Sequence, residues 1–138
     1  MIVIKKNLLE KIEAEAEKSY PFECCGMIFG SIEENKKLAH SIRSVENNFG
    51  GGEEYHRFLI TAEDMIRGEL YARQNGLDMI GFYHSHPDHP AIPSEYDREH
   101  ALPVYSYLIT SVKDGKADIT ASYELSDNKF TAEGISAV

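Results

Sequence analysis

The sequence has few cysteines, no long apolar run and a shortage of basic residues, and each shortage excludes a class of protein. Its two cysteines, Cys24 and Cys25, are neighbours, and because adjacent cysteines rarely bridge each other, no disulfide framework is expected. No stretch approaches the roughly 20 apolar residues of a membrane span. Residues 1–20 lack the basic start, apolar run and small-residue cleavage site of a signal peptide. We therefore expect a cytoplasmic protein with no membrane partner.

The charge balance of the chain is acidic. Lysine and arginine number 14 against 23 aspartates and glutamates, which gives a formal net charge of −9. Because phosphate binding needs clustered lysine and arginine, no nucleic-acid partner is expected. The length of 138 residues is typical of one domain with an ordinary core, so we predict a single domain over residues 1–138. The oligomeric state stays open at this point, a homo-oligomer included.

Two segments have the apolar spacing of amphipathic helices. The first covers residues 8–19, with Asn7 as its predicted N-cap and Pro21 as its end. The second begins after Thr61 as N-cap, and Gly76 sits where a C-terminal cap belongs. The predicted apolar face of the second helix consists of Ala62, Met65, Ile66 and Leu70.

Strand-like runs surround these two helices. They cover residues 1–4, 25–32, 37–45, 55–60, 77–86, 104–112, 117–125 and 129–138. Asp114 and Gly115 form a hairpin turn between two of the late strands. A further short helix is expected after Ser94, with Asp97 in its first turn. Together the elements predict an α/β (α+β) protein with a mixed sheet packed by two longer helices.

The segment GFYHSHPDHPAIPSEYD, residues 81–97, concentrates side chains that bind metals. Side chains two apart on a strand point the same way, so His84 and His86 should share one face. Asp97 follows behind a proline-rich loop, at the start of the short helix, where a carboxylate stays ionised. Catalytic zinc has three protein ligands plus water, whereas structural zinc has four. We therefore predict one Zn²⁺ per chain, held by two imidazoles and one aspartate with a place left for water.

Hydrolysis by such a site requires a base and a donor to the developing oxyanion. A zinc-bound water has a pKa lowered from 15.7 to about 7 and is an effective nucleophile. Ser94 lies between the ligands in sequence and is the candidate oxyanion donor; as a helix cap it uses only its oxygen as acceptor, so the two roles are compatible. Glu23, which lies between the first predicted helix and the strand that follows it, is the candidate base.

Three other functions fit parts of the pattern. Two histidines and a carboxylate also form the facial triad of non-haem iron oxygenases. A non-catalytic binding module would hold structural zinc through a fourth ligand, with Cys24, Cys25 or His89 as candidates. A cysteine hydrolase would pair one of the two cysteines with His84. His40, His56 and His100 are expected to be ordinary surface or hydrogen-bonded histidines.

The spacing His84-x-His86, seven residues, Ser94, two residues, Asp97 resembles the JAMM motif of the MPN-domain (Mov34/MPN/PAD-1) zinc metalloproteases. The segment PFECCGMIFG, residues 21–30, resembles the upstream glutamate segment of the same family. The resemblance implies a curved, MPN-like mixed sheet, with zinc on the two histidines and the aspartate. It also implies that Glu23 is the general acid and base and that Ser94 stabilises the oxyanion.

The family resemblance also implies a substrate class. Such enzymes cleave peptide or isopeptide bonds after the carboxy-terminal Gly-Gly of ubiquitin or ubiquitin-like proteins, and this short chain is similar to the compact prokaryotic type associated with sulfur carriers. A thin Gly-Gly tail can add as a strand to an exposed sheet edge. The candidate edge is EEYHRFLI, with Tyr55, Arg57 and Leu59 as predicted substrate-binding residues.

Overall fold

The computed structural model of the protein describes residues 1–47 and 59–138. The helices are α1 (Lys6–Ser19), α2 (Ala62–Gln74) and α3 (Glu95–His100). The strands are β1 (Ile2–Ile4), β2 (Cys25–Glu33), β3 (Lys36–Val45), β4 (Asp78–Pro87), β5 (Ser106–Lys113), β6 (Lys116–Ser126), β7 (Lys129–Glu133) and β8 (Ile135–Ala137). Among the described helices, none combines the length and the apolar character that a membrane crossing requires.

The strands form one mixed sheet in the order β7-β6-β5-β4-β2-β3-β1-β8. The two end strands, β7 and β8, are separated along the chain by Gly134 alone, so the sheet curves until it is nearly closed. β4 lies in the middle, parallel to β5 and antiparallel to β2. Every residue of β4 except Asp78 is buried, because helices and strands cover both of its faces. The predicted mixed sheet packed by two longer helices is confirmed.

Helix α1 packs on one face of the sheet, against β4, β5 and β6. Its buried residues Leu8, Ile12 and Ala16 recur at helical spacing and join the core. The predicted cap at Asn7 is wrong, because α1 begins at Lys6 and its N-cap, Lys5, makes no side-chain capping bond. A backbone contact replaces the cap: the Lys6 N–H donates to the carbonyl of Val138, 2.9 Å away.

Helix α2 packs on the opposite face through small residues. Gly68 lies so close to the sheet that a Cβ there would stand 2.5 Å from the Met27 sulfur. Gly68 and Ala72 are buried, whereas Ile66 and Leu70 are 61% and 49% exposed. Ala62 is exposed too, so the predicted apolar face is wrong for all of its members except the half-buried Met65. The helix is held close by its small residues, which turns the two larger ones outward.

The ends of α2 are as the sequence predicts. Thr61 accepts a hydrogen bond from the Asp64 N–H in a capping box, and Gly76 follows the helix with φ of +64°. The predicted last strand is two strands, β7 and β8, because its first half pairs with β6 and its second half pairs with β1. Residues 55–58 of another predicted strand lie outside the described residues, and Leu59 and Ile60 are not in a strand.

Candidate active site

Strand β4 brings two imidazoles to one point. The Nε2 atoms of His84 and His86 lie 3.1 Å apart, on the same face of the strand. Ser85 points the other way, and its hydroxyl oxygen accepts a hydrogen bond from the Cys24 N–H at 2.8 Å. The Ser85 N–H donates in turn to the Cys24 carbonyl, so this residue fastens β4 to the segment that precedes β2.

The start of α3 aims a carboxylate at the two imidazoles. Ser94 caps the helix by accepting from the Asp97 N–H, and Asp97 Oδ2 accepts from the Ser94 N–H at 2.9 Å. The same oxygen lies 3.2 Å from His84 Nε2 and 3.1 Å from His86 Nε2. The capping box therefore fixes the orientation of the carboxylate as well as the first turn of the helix.

The protonation states of these groups suit metal binding. Burial lowers the pKa of His84 more than the charge of Asp97 raises it, so the imidazole is neutral at neutral pH. Burial alone would raise the pKa of Asp97, but the two imidazoles and the Ser94 N–H hold that pKa well below its usual range. A neutral imidazole and an ionised carboxylate are the forms that coordinate a metal ion.

The donor atoms fit a single zinc ion. Ligands about 2.0–2.1 Å from a tetrahedral zinc lie roughly 3.3 Å from one another, close to the 3.1–3.2 Å separations found here. Pro90 contributes a carbonyl 2.8 Å from His86 Nδ1. Because a carbonyl only accepts, Nδ1 carries a proton, and Nε2 is the nitrogen of His86 that would bind the ion. Two imidazole nitrogens and a carboxylate oxygen this close together require a shared cation or protons between them.

Among residues 1–47 and 59–138, one set of three histidine, cysteine or carboxylate side chains lies close enough together to bind a single ion. It consists of His84, His86 and Asp97. Neither cysteine nor His89 joins them, so the closed four-ligand shell of a structural zinc module has no support in this part of the chain. Burial raises the pKa of the Cys24 thiol to about 12 and also raises that of Cys25, so both are protonated thiols. That protonation argues against a cysteine nucleophile.

The segment before β2 places Glu23 beside the same cluster. Cys25 pairs with His84 across the β2–β4 ladder and Cys24 bonds to Ser85, so the chain leads from this ladder to Glu23 on the side of the metal ligands, close enough for the charge of Asp97 to affect it. The glutamate is only 5% exposed, and its Oε1 accepts no hydrogen bond from the described residues. Burial, with a smaller contribution from the charge of Asp97, raises its pKa to about 9.

An apolar cavity of about 170 Å³ opens beside the metal-binding side chains. His84 and Asp97 contribute to its wall together with Ile60, Met65, Phe82, Tyr96, Leu102 and Tyr107. Of the predicted substrate-binding residues, Leu59 lines this cavity, whereas Tyr55 and Arg57 lie outside the described residues.

His100 is exposed, and its Nδ1 lies 2.9 Å from the carbonyl oxygen of Tyr96, so it is a hydrogen-bonded surface histidine as the sequence predicts. Its ring stacks on Tyr96 with centroids 4.0 Å apart and lines the same cavity. Only its position at the cavity was not predicted; Tyr96 and His100 are one helical turn apart, which lets their rings meet.

Comparisons with known proteins show which family and which solved structures the chain is similar to. The family model described as prokaryotic homologs of the JAB domain matches residues 5–125. A desampylase of Haloferax volcanii is 31% identical over 114 residues, which cover 81% of this chain and 78% of the relative. The solution structure of a protein from Desulfitobacterium hafniense superposes with a TM-score of 0.87 at 26% identity, covering 100% of this chain and 93% of that one. A JAB1/MPN domain protein from Archaeoglobus fulgidus has a TM-score of 0.59 at 16% identity, covering 100% and 97% of the two chains, and shares the fold.

Proposed function

The chain belongs to the family of prokaryotic JAB-domain homologs, and on that premise we propose that it is a zinc-dependent hydrolase. Its reaction is cleavage of a peptide or isopeptide bond after the carboxy-terminal Gly-Gly of a ubiquitin-like or sulfur-carrier protein, with residues 1–138 acting as one domain. The observation that carries the proposal is the convergence of His84, His86 and Asp97 on one point, beside the buried carboxyl of Glu23.

The ligand residues bind the ion and Glu23 moves the proton. When bound, zinc supplies Lewis acidity, which lowers the pKa of a coordinated water to about 7. Glu23 takes a proton from the water as its oxygen forms a bond to the scissile carbonyl carbon. The same carboxyl returns that proton to the amine as the carbon–nitrogen bond breaks. Its raised pKa, about 9 in the metal-free protein, suits the second half of the transfer, in which the carboxyl holds the proton. The positive charge of a bound zinc ion would lower this pKa and so provide the carboxylate that the first half requires.

Ser94 is the proposed donor to the oxyanion. Its hydroxyl oxygen accepts from the Asp97 N–H, 3.1 Å away, and this bond leaves the hydroxyl hydrogen available. A hydrogen-bond donor directed at the carbonyl oxygen stabilises the transition state more than the ground state, because negative charge develops on that oxygen during attack.

The proposed substrate is the tail of a ubiquitin-like protein. The name of the Haloferax relative, desampylase, supports a protein modifier as the substrate class. The apolar cavity beside the ligands suits an uncharged, extended segment, and we propose that the tail passes along it at Leu59. Tyr55 and Arg57 remain proposed tail contacts, and the sulfur-carrier class is proposed from the likeness to prokaryotic members of the family.

The proposal is tested by incubating the zinc-loaded protein with ubiquitin-like carriers that bear a short extension after Gly-Gly. Intact mass spectrometry should show a product that ends at Gly-Gly, and a chelator should abolish it while iodoacetamide does not. A carrier with Ala-Ala in place of Gly-Gly is the matched substrate control. Absence of product with every carrier, or a product that survives removal of zinc and replacement of His84 by alanine, contradicts the proposal.

A further inference from the structure

One side-chain amide connects the segment that carries Glu23 to the wall of the cavity. Asn47 Nδ2 donates to the backbone carbonyl of Glu23 at 3.1 Å. Asn47 Oδ1 accepts from the backbone N–H of Leu59 at 3.2 Å. The two partners are 24 and 12 residues away in sequence, so these bonds hold together segments that are not neighbours along the chain.

Glu23 lies one residue beyond the hydrogen bonds between Cys24 and Ser85 that fasten this segment to β4. The β2–β4 ladder begins at Cys25, two residues further on, so the backbone of Glu23 lies outside the regular pairing. Its buried Oε1 accepts no hydrogen bond from the residues that the structure describes. The place of the carboxyl therefore depends on the backbone from which it projects, and Asn47 is bonded to that backbone.

Asn47 itself is well placed to act as a fixed point. It follows β3 by two residues, and Val45 at the end of β3 pairs with Cys25. At its other bond, Leu59 lies two residues before Thr61, the cap of α2, and lines the apolar cavity. Movement of the Asn47 side chain would thus shift the base and the cavity wall together.

We propose that Asn47 is a positioning residue that fixes the Glu23 backbone, and so the catalytic carboxyl, relative to the metal ligands and the cavity wall. The inference rests on the proposed function, since it gives Glu23 the role of base. Asn47 does not touch the reacting atoms, and its effect on the reaction passes through Glu23.

Kinetics of the zinc-loaded variants test this role. Asn47→Ala should lower kcat about tenfold, the size expected when the net contribution of one to two hydrogen bonds is lost, and should change KM less than about twofold. Asn47→Asp keeps the acceptor for Leu59 but loses the donor to Glu23, so it should lower kcat to a similar degree. Full activity of Asn47→Ala overturns the proposal, as does restoration of the wild-type kcat by Asn47→Asp.

A double variant separates positioning from general loss of structure. If Asn47 acts through Glu23, Asn47→Ala should have no further effect on the residual rate of Glu23→Gln, whereas an independent role would multiply the two losses. Asn75→Ala is the matched control. Asn75 Nδ2 also donates to a backbone carbonyl, that of Tyr71 at 2.8 Å, but at the carboxyl end of α2. Asn75→Ala should leave kcat unchanged.

NMR provides a readout that does not depend on turnover. In the zinc-free protein, Asn47→Ala should increase amide hydrogen exchange at Leu59 and shift the Glu23 carbonyl ¹³C resonance, while Asn75→Ala does neither. Unchanged NMR signals would overturn the link that Asn47 makes between Glu23 and Leu59, whatever the activity of the variant. If the NMR changes are present but the wild type is inactive against every carrier, the proposed function and the base-positioning role are contradicted. The link that Asn47 makes between Glu23 and Leu59 would still be established.

Discussion

Replacing Glu23 by glutamine should change how the stability of the zinc-free protein depends on pH. The pKa of Glu23 is raised from 4.5 to about 9, mainly by burial. Between these two values the folded protein keeps a proton that the unfolded chain has released. The Glu23 contribution to stability is therefore fully present below about pH 4.5 and is lost progressively as the pH rises toward 9.

The slope and size of this effect follow from proton linkage. One proton bound only by the folded state changes the free energy of unfolding by about 1.4 kcal/mol per pH unit. From about pH 5.5 to about pH 8.5 the wild type should lose roughly 4 kcal/mol from this group alone. The side chain is only 5% exposed, so solvent screening reduces the effect little. Glutamine has nearly the same shape and no charge to bury, so its contribution should not vary with pH.

The assay is urea unfolding followed by circular dichroism, in the presence of a chelator, at several pH values across that range. The stability of Glu23→Gln relative to the wild type should rise steadily with pH, by about 4 kcal/mol in total. Glu10→Gln, the same change at an exposed residue of α1, is the matched control. Parallel pH profiles for the wild type and Glu23→Gln would refute the reasoning, because they would mean that the buried carboxyl does not hold a proton.

Three further outcomes are expected. Glu23→Gln should bind zinc with the wild-type stoichiometry, measured by metal analysis, but lose turnover, and cleavage at the wild-type rate would exclude Glu23 as the base. Ser94→Ala should lower kcat by about 10²–10³, because it removes the donor to the oxyanion. Thr61→Ala removes the equivalent cap of α2 and should cost about 1 kcal/mol of stability without that loss of rate. Equal kinetics of the two variants would leave Ser94 as a cap only. Gly26→Ala should destabilise the fold by about 1–3 kcal/mol in urea unfolding, because the added Cβ would stand 2.2 Å from the Tyr83 ring; a wild-type midpoint would show that the core adjusts freely.

The parts of the site that follow local rules could be predicted from sequence. His84 and His86 share a face because strand side chains alternate, and Ser94 and Asp97 form a capping box because their types and spacing match one. The likeness to the JAMM/MPN family and its mixed curved sheet are confirmed by the family match and by the structural neighbours. The roles of Glu23 and Ser94 in catalysis stay predictions.

The features that depend on distant contacts could not be predicted in the same way. The prediction of an Asn7 cap was wrong because α1 begins at Lys6, whose N–H donates to the carbonyl of Val138. Nothing near Asn7 in the sequence indicates that contact. The exposure of Ile66 could not be predicted from the sequence, because it follows from the close approach of Gly68 to β2 and β4. Asn47 follows β3 in a polar segment, and its link to Glu23 exists only once β2 and β3 have paired.

The central claim is that two imidazoles and one aspartate bind a single zinc ion that keeps a position open. Zinc-edge X-ray absorption on the loaded protein tests it most directly. We predict one zinc per chain with two imidazole nitrogens, the remaining ligands oxygen at about 2.0–2.2 Å, and loss of the bound metal in Asp97→Ala. A sulfur ligand at about 2.3 Å, or a spectrum unchanged by replacement of His84, His86 or Asp97, would contradict it.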